Sequence, residues 1–320
     1  MCVQFPMKVQ LFSPAKINVF LSVLGPREDG FHEILSIACP LNFGDDVWIE
    51  LVDENRGDGL VCNDPGVPLD DSNLMLKALE LFRSRHPFAF GVRMELFKRI
   101  PMGGGMGGGS GNGAAVLWGV NELLGKPLVL NELKELAGSL GADCALFLEG
   151  GAVLMKGRGE IVEKLPEAAS RKLNGKTVYL LLPGIPISTA WAYGRFKEFE
   201  GRAYDFSSIM EKRVNDFLLG ELPTEQLLHN NFEIPVFQKY LALSVFREKL
   251  NLLVPGRVLL SGSGSSIFVL APEDSSKELL GKQLKTLGEE AFGRDFELVK
   301  ATTAPFESAP FVHITDSSSQ

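Results

Sequence analysis

Lys16 and Asn18 in "SPAKINVFL", Asp143 in "LGADCALF" and the run "RIPMGGGMGGGSGNGAA", residues 99 to 115, are of types that could do chemistry together. Eight of the eleven residues from Gly103 to Gly113 are glycine. Glycine loses more conformational freedom on folding than any other residue, so such a run is costly unless something must approach the main chain closely. A glycine turn between a strand and a helix exposes backbone N–H groups and the positive end of the helix dipole, both suited to phosphate. A polyphosphate lying against the main chain is the expectation.

Rival readings of the run are weighed on what each requires. Gly103, Gly105 and Gly108 satisfy G-x-G-x-x-G. A dinucleotide-binding unit also needs an acidic residue ending the next strand about 20 residues on, and that zone still reads as helix. The phosphate loop ending in Gly-Lys-Ser/Thr is absent, as are the protein-kinase motifs VAIK, HRD and DFG. A flexible linker fits poorly between "KRIP" and an amphipathic helix. Lys16 taken alone is a lysine on a strand, a type that is usually solvated. Asp143 could cap a helix starting at Cys144 or take part in chemistry, and the local residues leave both open.

The elements that must position these residues follow from periodicity. Residues 8 to 24 read as strand with an interruption at "SPAK", where Pro14 breaks the ladder; 45 to 52 and 92 to 100 read as strands. Helical spacing marks "DDSNLMLKALELFRSR" behind an Asp/Ser cap, the stretch with Ala114, Leu117, Val120 and Leu124, and 131 to 140. "GADCALFLEGGAVLMKG" reads as turn, short segment and strand. From about 165 the pattern restarts with strand "TVYLLLP", helices at 207 to 219 and 236 to 250, and two strands around a second glycine turn in "GRVLLSGSGSSIFVLAP". Helix "DSSKELLGKQLKTLGEEA" and strand "FELVKAT" end it. The expected fold class is α+β in two lobes, 1–165 and 166–306, with 307–320 an unstructured tail.

Composition narrows the classes. With 320 residues, 45% hydrophobic and a net charge of −8, the chain suits a globular protein with a sizeable core and no basic footprint for nucleic acid. Cys2, Cys39, Cys62 and Cys144 show no metal-ligand spacing and read as reduced core thiols. Lys8 and Lys16 interrupt the apolar N-terminal stretch, which fits neither a signal peptide nor a membrane span; the cytoplasm is the expected location.

Three separated segments, "SPAKINVFL", "PMGGGMGGGSGN" and "LLSGSGSSIF", resemble in order and rough spacing the signature motifs of the GHMP kinases, the family of galactokinase, homoserine kinase and mevalonate kinase. The resemblance runs from about residue 10 to 270. "PAKINVFL", "REDGFHEI", "KRIPMGGGMGGGSGN" and "GAD" look like the branch acting on a cytidine diphosphate-linked methylerythritol, in non-mevalonate isoprenoid biosynthesis.

That resemblance implies a two-lobed fold with the active site in the cleft between the lobes. The γ-phosphoryl of ATP, with Mg²⁺, would pass to the 2-hydroxyl of the cytidylyl substrate. Asp143 would take the hydroxyl proton and Lys16 would orient or polarise the same centre. Pro101, Met102, Gly103, Gly104, Gly105, Met106, Gly107, Gly108, Gly109, Ser110 and Gly111 would form the loop on the ATP phosphates, with Asn73 and Lys98 near the adenosine. His32 would read the cytosine edge beside Phe31, Tyr193 would stack on the base, and Asn18 and Thr189 would contact substrate. Metal ligands stay unassigned, with the Ser110 hydroxyl only a candidate.

Two departures stand out. Phe31 replaces a common Tyr, and Gly111 lacks a hydroxyl that relatives carry in "SSNAA" and that could touch phosphate or magnesium. The alternatives are another GHMP kinase acting on homoserine, mevalonate or a sugar, an NAD-dependent oxidoreductase, and a nucleotide-binding homologue without catalysis. Neither nucleic acid nor membrane is an expected partner, and the oligomeric state stays open between monomer and weak dimer.

Overall fold

The computed structural model describes residues 8–199 and 201–303 and the backbone of Val312–His313. Strands β1 (Lys8–Pro26) and β2 (His32–Val52) pair antiparallel as one long ribbon. The expected interruption near Pro14 is a bulge inside a continuous strand, with register jumping from Pro14↔Gly44 to Lys16↔Pro40. Pro14 and Pro40 carry no N–H, so the ladder lapses between them while both chains stay extended. The stretch from His32 to Gly44 was not expected as strand, because Pro40 and Gly44 look like turn residues.

Beyond this ribbon come β3 (Gly59–Cys62), α1 (Leu74–Arg85) and β4 (Gly91–Phe97). β4 pairs with β2 and β3 with β4. β4 stops short of the expected residue 100 because its next amides bond side chains: Lys98 N–H to Asn63, and Arg99 and Ile100 N–H to Asp45 Oδ1. The cap of α1 is Asn73, whose Oδ1 accepts from Met75 N at 2.9 Å, rather than the Asp or Ser before it. Helices α2 (Gly108–Leu123) and α3 (Leu130–Leu140) follow, then β5 (Val153–Lys156) against β2 and β6 (Ile161–Lys164) against β5. α1, α2 and α3 bury Phe82, Val116, Leu117, Val120 and Leu133 against Val9, Val47, Ile49 and Met94 of this sheet.

The second half adds α4 (Glu167–Leu173), β7 (Thr177–Leu182), α5 (Thr189–Phe196), α6 (Ser207–Leu218), α7 (Thr224–Leu227), β8 (His229–Asn230), α8 (Glu233–Lys239) and α9 (Leu241–Leu253). Next come β9 (Val258–Leu260), β10 (Ile267–Leu270), α10 (Lys277–Phe292) and β11 (Glu297–Thr302). The helix expected over 236 to 250 is two helices, because Tyr240 takes a non-helical ψ of 72°. α4, α5 and α7 were not foreseen. The strands form a second, antiparallel sheet in the order β11-β7-β10-β9. β7 is buried on both faces, which is why it reads as an unbroken apolar run: Val178, Leu180 and Leu182 meet Ile17, Phe20 and Ile37 of the first sheet, while Tyr179 and Leu181 meet Phe196, Phe246 and Leu284. Two short strands from the second half return to β1, β8 in parallel and β12 (Val312–His313) antiparallel. Val312–His313 thus sit in a strand inside the stretch expected to be an unstructured tail; the rest of 307–320, and Cys2, lie outside the described residues.

Candidate active site

The glycine run leaves β4, turns over the bulge of β1 and becomes the first turns of α2. Lys16, freed from its ladder by the bulge, donates its N–H to the Met106 carbonyl at 2.9 Å. From the second sheet, the turn at 261–266 closes on the same loop: Ser261 Oγ donates to the Gly105 carbonyl at 3.1 Å and Ser266 N to Gly104 O at 3.3 Å. Much of the glycine requirement therefore comes from protein. Gly105 has φ +74° and a Cβ there would collide with the Ser261 carbonyl oxygen; at Gly107 it would stand 3.0 Å from Phe147 Cζ and 3.1 Å from Lys16 Cγ. Gly109 differs. A Cβ there would find only Leu74 Cδ1, at 3.8 Å, and would otherwise enter open space above the N-terminus of α2.

That space is a cleft of about 910 Å³, within the range of small-molecule sites. Pro101 to Ser110 line it together with Asn73 and Lys98. Gly111 does not. A Cβ there would stand 2.8 Å from Ser13 Oγ, a buried hydroxyl without a partner among the described residues, so a side chain at this position would start against Ser13 and away from the cleft. Two other residues are less free than expected. Asn73 spends both amide groups on Met75 N and the Pro68 carbonyl. Lys98 Nζ lies 2.5 Å from Asp45 Oδ2.

Opposite the loop, Lys16 Nζ donates to Asn18 Oδ1 at 2.6 Å and lies 3.2 Å from Asp143 Oδ2. Asn18 in turn donates to Ser36 Oγ at 2.9 Å. Lys16 is buried whereas 34% of the Asp143 side chain is exposed, so this carboxylate is the open end of the chain of contacts. The capping alternative for Asp143 is not realised: the short 3-10 turn begins at Ala145 behind Cys144 with no side-chain cap. Burial pushes the Cys144 and Cys39 thiols up to about 12, in keeping with inert core cysteines.

The far end of the cleft is aromatic. Thr189 and Tyr193 stand one turn apart on α5, and Thr189 Oγ1 meets Ser263 Oγ at 2.9 Å. His32, only 7% exposed, stacks on Tyr193 with centroids 5.1 Å apart at 26°. Burial, and then Lys197, lower its pKa below the ordinary 6.5; burial, and then Asp143, raise that of Tyr193. Phe31 is 52% exposed at the rim, with the Arg158 guanidinium carbon 5.0 Å from its ring centre. The cleft thus joins all the sequence-identified residues except Gly111.

Sequence reasoning missed Asp45, which is fully buried and binds both ends of the glycine run: Arg99 and Ile100 N–H before it, Asn112 Nδ2 at 3.1 Å after it. It also missed Ser263, Arg158 and Lys197 on the cleft wall. "GRGE", an arginine between two glycines, was the available signal for Arg158, and the motif "LLSGSGSSIF" the one for Ser263. The dinucleotide alternative fails on topology, since α2 is followed by α3 and not by a parallel strand.

A family model described as the GHMP kinases N terminal domain matches residues 73–151. A relative from Protochlamydia amoebophila, named 4-diphosphocytidyl-2-C-methyl-D-erythritol kinase, is 36% identical over 264 residues, covering 82% of this chain and 84% of that protein. A chloroplastic relative of the same name from Mentha piperita is 35% identical over 272 residues, covering 83% of this chain; the chain spans 65% of that relative's length. A crystal structure of 4-(cytidine 5′-diphospho)-2C-methyl-D-erythritol kinase superposes with TM-score 0.69 and 29% identity, covering 92% of this chain and all of that one.

Proposed function

The chain belongs to the 4-diphosphocytidyl-2-C-methyl-D-erythritol kinase family of GHMP kinases, and on that premise we propose that it moves the γ-phosphoryl group of ATP to the 2-hydroxyl of 4-(cytidine 5′-diphospho)-2-C-methyl-D-erythritol. The observation that carries the reading is the Lys16–Asp143 pair, 3.2 Å apart, between a glycine loop and an aromatic platform in one cleft.

Phosphoryl transfer asks a protein mainly for positioning and charge stabilisation. The triphosphate lies on the N–H groups of 103–110 and the positive end of α2. The substrate oxygen attacks the γ-phosphorus as the bond to the ADP oxygen breaks, and its proton passes to Asp143. Lys16, held by Asn18, keeps Asp143 in place and offsets negative charge on the transferring group. Asp143 and Ser110, a carboxylate and a hydroxyl on the cleft wall, would hold a hard cation such as Mg²⁺. That ion would supply neutralisation of the phosphate charge. His32, Tyr193 and Phe31 hold the cytosine, while Thr189 and Asn18 contact the alcohol portion. The cytoplasm is the proposed setting.

A rival GHMP kinase for homoserine, mevalonate or a sugar has no base to hold, and the aromatic end of this cleft argues for one. Incubation with ATP and a panel of the cytidylyl alcohol, homoserine, mevalonate and galactose, followed by phosphorus NMR, tests it. Phosphorylation of the cytidylyl alcohol is expected; transfer to another acceptor with none to that one would overturn the reading.

A further inference from the structure

His32 opens β2 and has two ring nitrogens with different company. Nε2 lies 3.1 Å from the Tyr204 hydroxyl. Nδ1 has no hydrogen-bond partner among the described residues, and His32 lines the cleft. The Tyr204 hydroxyl has no second acceptor among them either. Nε2 is the one acceptor the described residues offer the phenol proton, and with Tyr204 as donor Nε2 accepts. A neutral imidazole accepting at Nε2 carries its proton on Nδ1.

The phenol is held there without help from a ligand. Its ring stacks on Phe196 with centroids 5.4 Å apart at 21°. The next residue, Asp205, donates its N–H to the Val23 carbonyl at 3.2 Å. The Asp205 carboxylate accepts from Ser22 Oγ at 2.6 Å and meets His229 Nε2 at 2.7 Å. On the other side, Asn231 Nδ2 donates to the Ala203 carbonyl at 3.0 Å. The segment carrying Tyr204 is thus tied to β1 and β8 on both flanks.

We propose that Tyr204 is a positioning residue that fixes His32 in the Nδ1–H form and thereby selects the base. This rests on the reading of the cleft as a cytidylyl site. An Nδ1–H donor suits a pyrimidine whose ring nitrogen N3 is a bare acceptor, as in cytosine. It opposes one whose N3 carries hydrogen, as in uracil, where two donors would face each other. Burial lowers the pKa of His32 and raises that of Tyr204, so near neutral pH both partners stay uncharged and the assignment of one proton to each holds.

The chain has four histidines, so nitrogen NMR of histidine-labelled protein, with His32 assigned through a His32→Gln variant, reads the tautomer directly. The parent is expected to show Nδ1 protonated and Nε2 bare. Tyr204→Phe keeps the ring and its stacking but loses the donor. It should release the tautomer preference, raise KM for the cytidylyl substrate about tenfold, and cut the cytidylyl-over-uridylyl ratio of kcat/KM by a similar factor, with KM for ATP steady. A parent protonated at Nε2, or a Tyr204→Phe protein that keeps both tautomer and base preference, overturns the proposal. The parent spectrum decides even if the variant does not fold. A parent that leaves the cytidylyl alcohol untouched sinks the functional reading instead, and the spectrum still settles the tautomer.

Discussion

Asp45 Oδ2 and Lys98 Nζ face each other at 2.5 Å, their side chains 0% and 7% exposed. Asp45 also accepts from Arg99 N, Ile100 N and Asn112 Nδ2. One carboxylate thus joins the strand before the glycine loop to the helix after it. Removing a single partner of a buried pair leaves the other charge uncompensated, so Asp45→Asn should cost about 3–5 kcal/mol in denaturant unfolding. Lys98→Met should cost less, because Asp45 keeps three N–H donors. Equal losses, or a larger one for Lys98→Met, would mean that the lysine pairing and not the amide staple holds the loop.

Gly109 separates two explanations for the glycine run. Its neighbours leave room for a methyl group and its backbone is helical, so Gly109→Ala should stabilise the free protein by up to about 1 kcal/mol. If triphosphate lies over this turn, the same methyl group sits where phosphate oxygens must come, and ATP affinity should fall at least about tenfold, or 1.4 kcal/mol. Melting curves and calorimetric titration read the two effects separately. A variant that gains stability and binds ATP as before would move the phosphates elsewhere.

What could be read from residue order, and what could not, divides along contact range. β7 was legible because Val178 to Leu182 are apolar on both faces, and α10 because its stripe of Leu280 and Leu284 follows a Ser276 cap. β2 was half missed because Pro40 and Gly44, which read as turn residues, mark a bulge within a strand whose partner lies elsewhere in the chain. Lys16, Asn18 and Asp143 were found through motif order; their distances came only from the fold. Asp45 and Tyr204 left no local trace, since their side-chain hydrogen-bond partners lie 53 to 172 residues away. The Gly111 departure was visible, but only the direction of the absent side chain shows that it concerns Ser13.

His32 gives the fold a pH dependence of definite sign. Burial first and Lys197 second hold its pKa below 6.5. Between that lowered value and 6.5 the unfolded chain binds more protons than the folded one, so stability rises with pH there and is lost as pH falls. Denaturant midpoints taken at stepped pH below 6.5 should slope upward with pH in the parent and flatten in His32→Gln. Lys197→Met should move the His32 NMR titration midpoint up towards 6.5. A midpoint above 6.5 in the parent would contradict both causes.

Asp143→Asn isolates the proton acceptor from the rest of the site. The amide keeps size and shape next to Lys16 and leaves the loop at 103–110 unaltered, so the dissociation constant of metal-free ATP should stay within about threefold, under about 1 kcal/mol. Loss of a general base costs about 10²–10⁴-fold, and turnover should fall by that much in single-turnover assays, where product release plays no part. Lys16→Met should lower turnover too. It also strands Asn18 Oδ1, which accepts the hydrogen bond of Lys16 Nζ at 2.6 Å, so some loss of stability should accompany it. Turnover of Asp143→Asn within a few-fold of the parent would remove this carboxylate from the proton transfer and leave it the lesser part of holding Lys16.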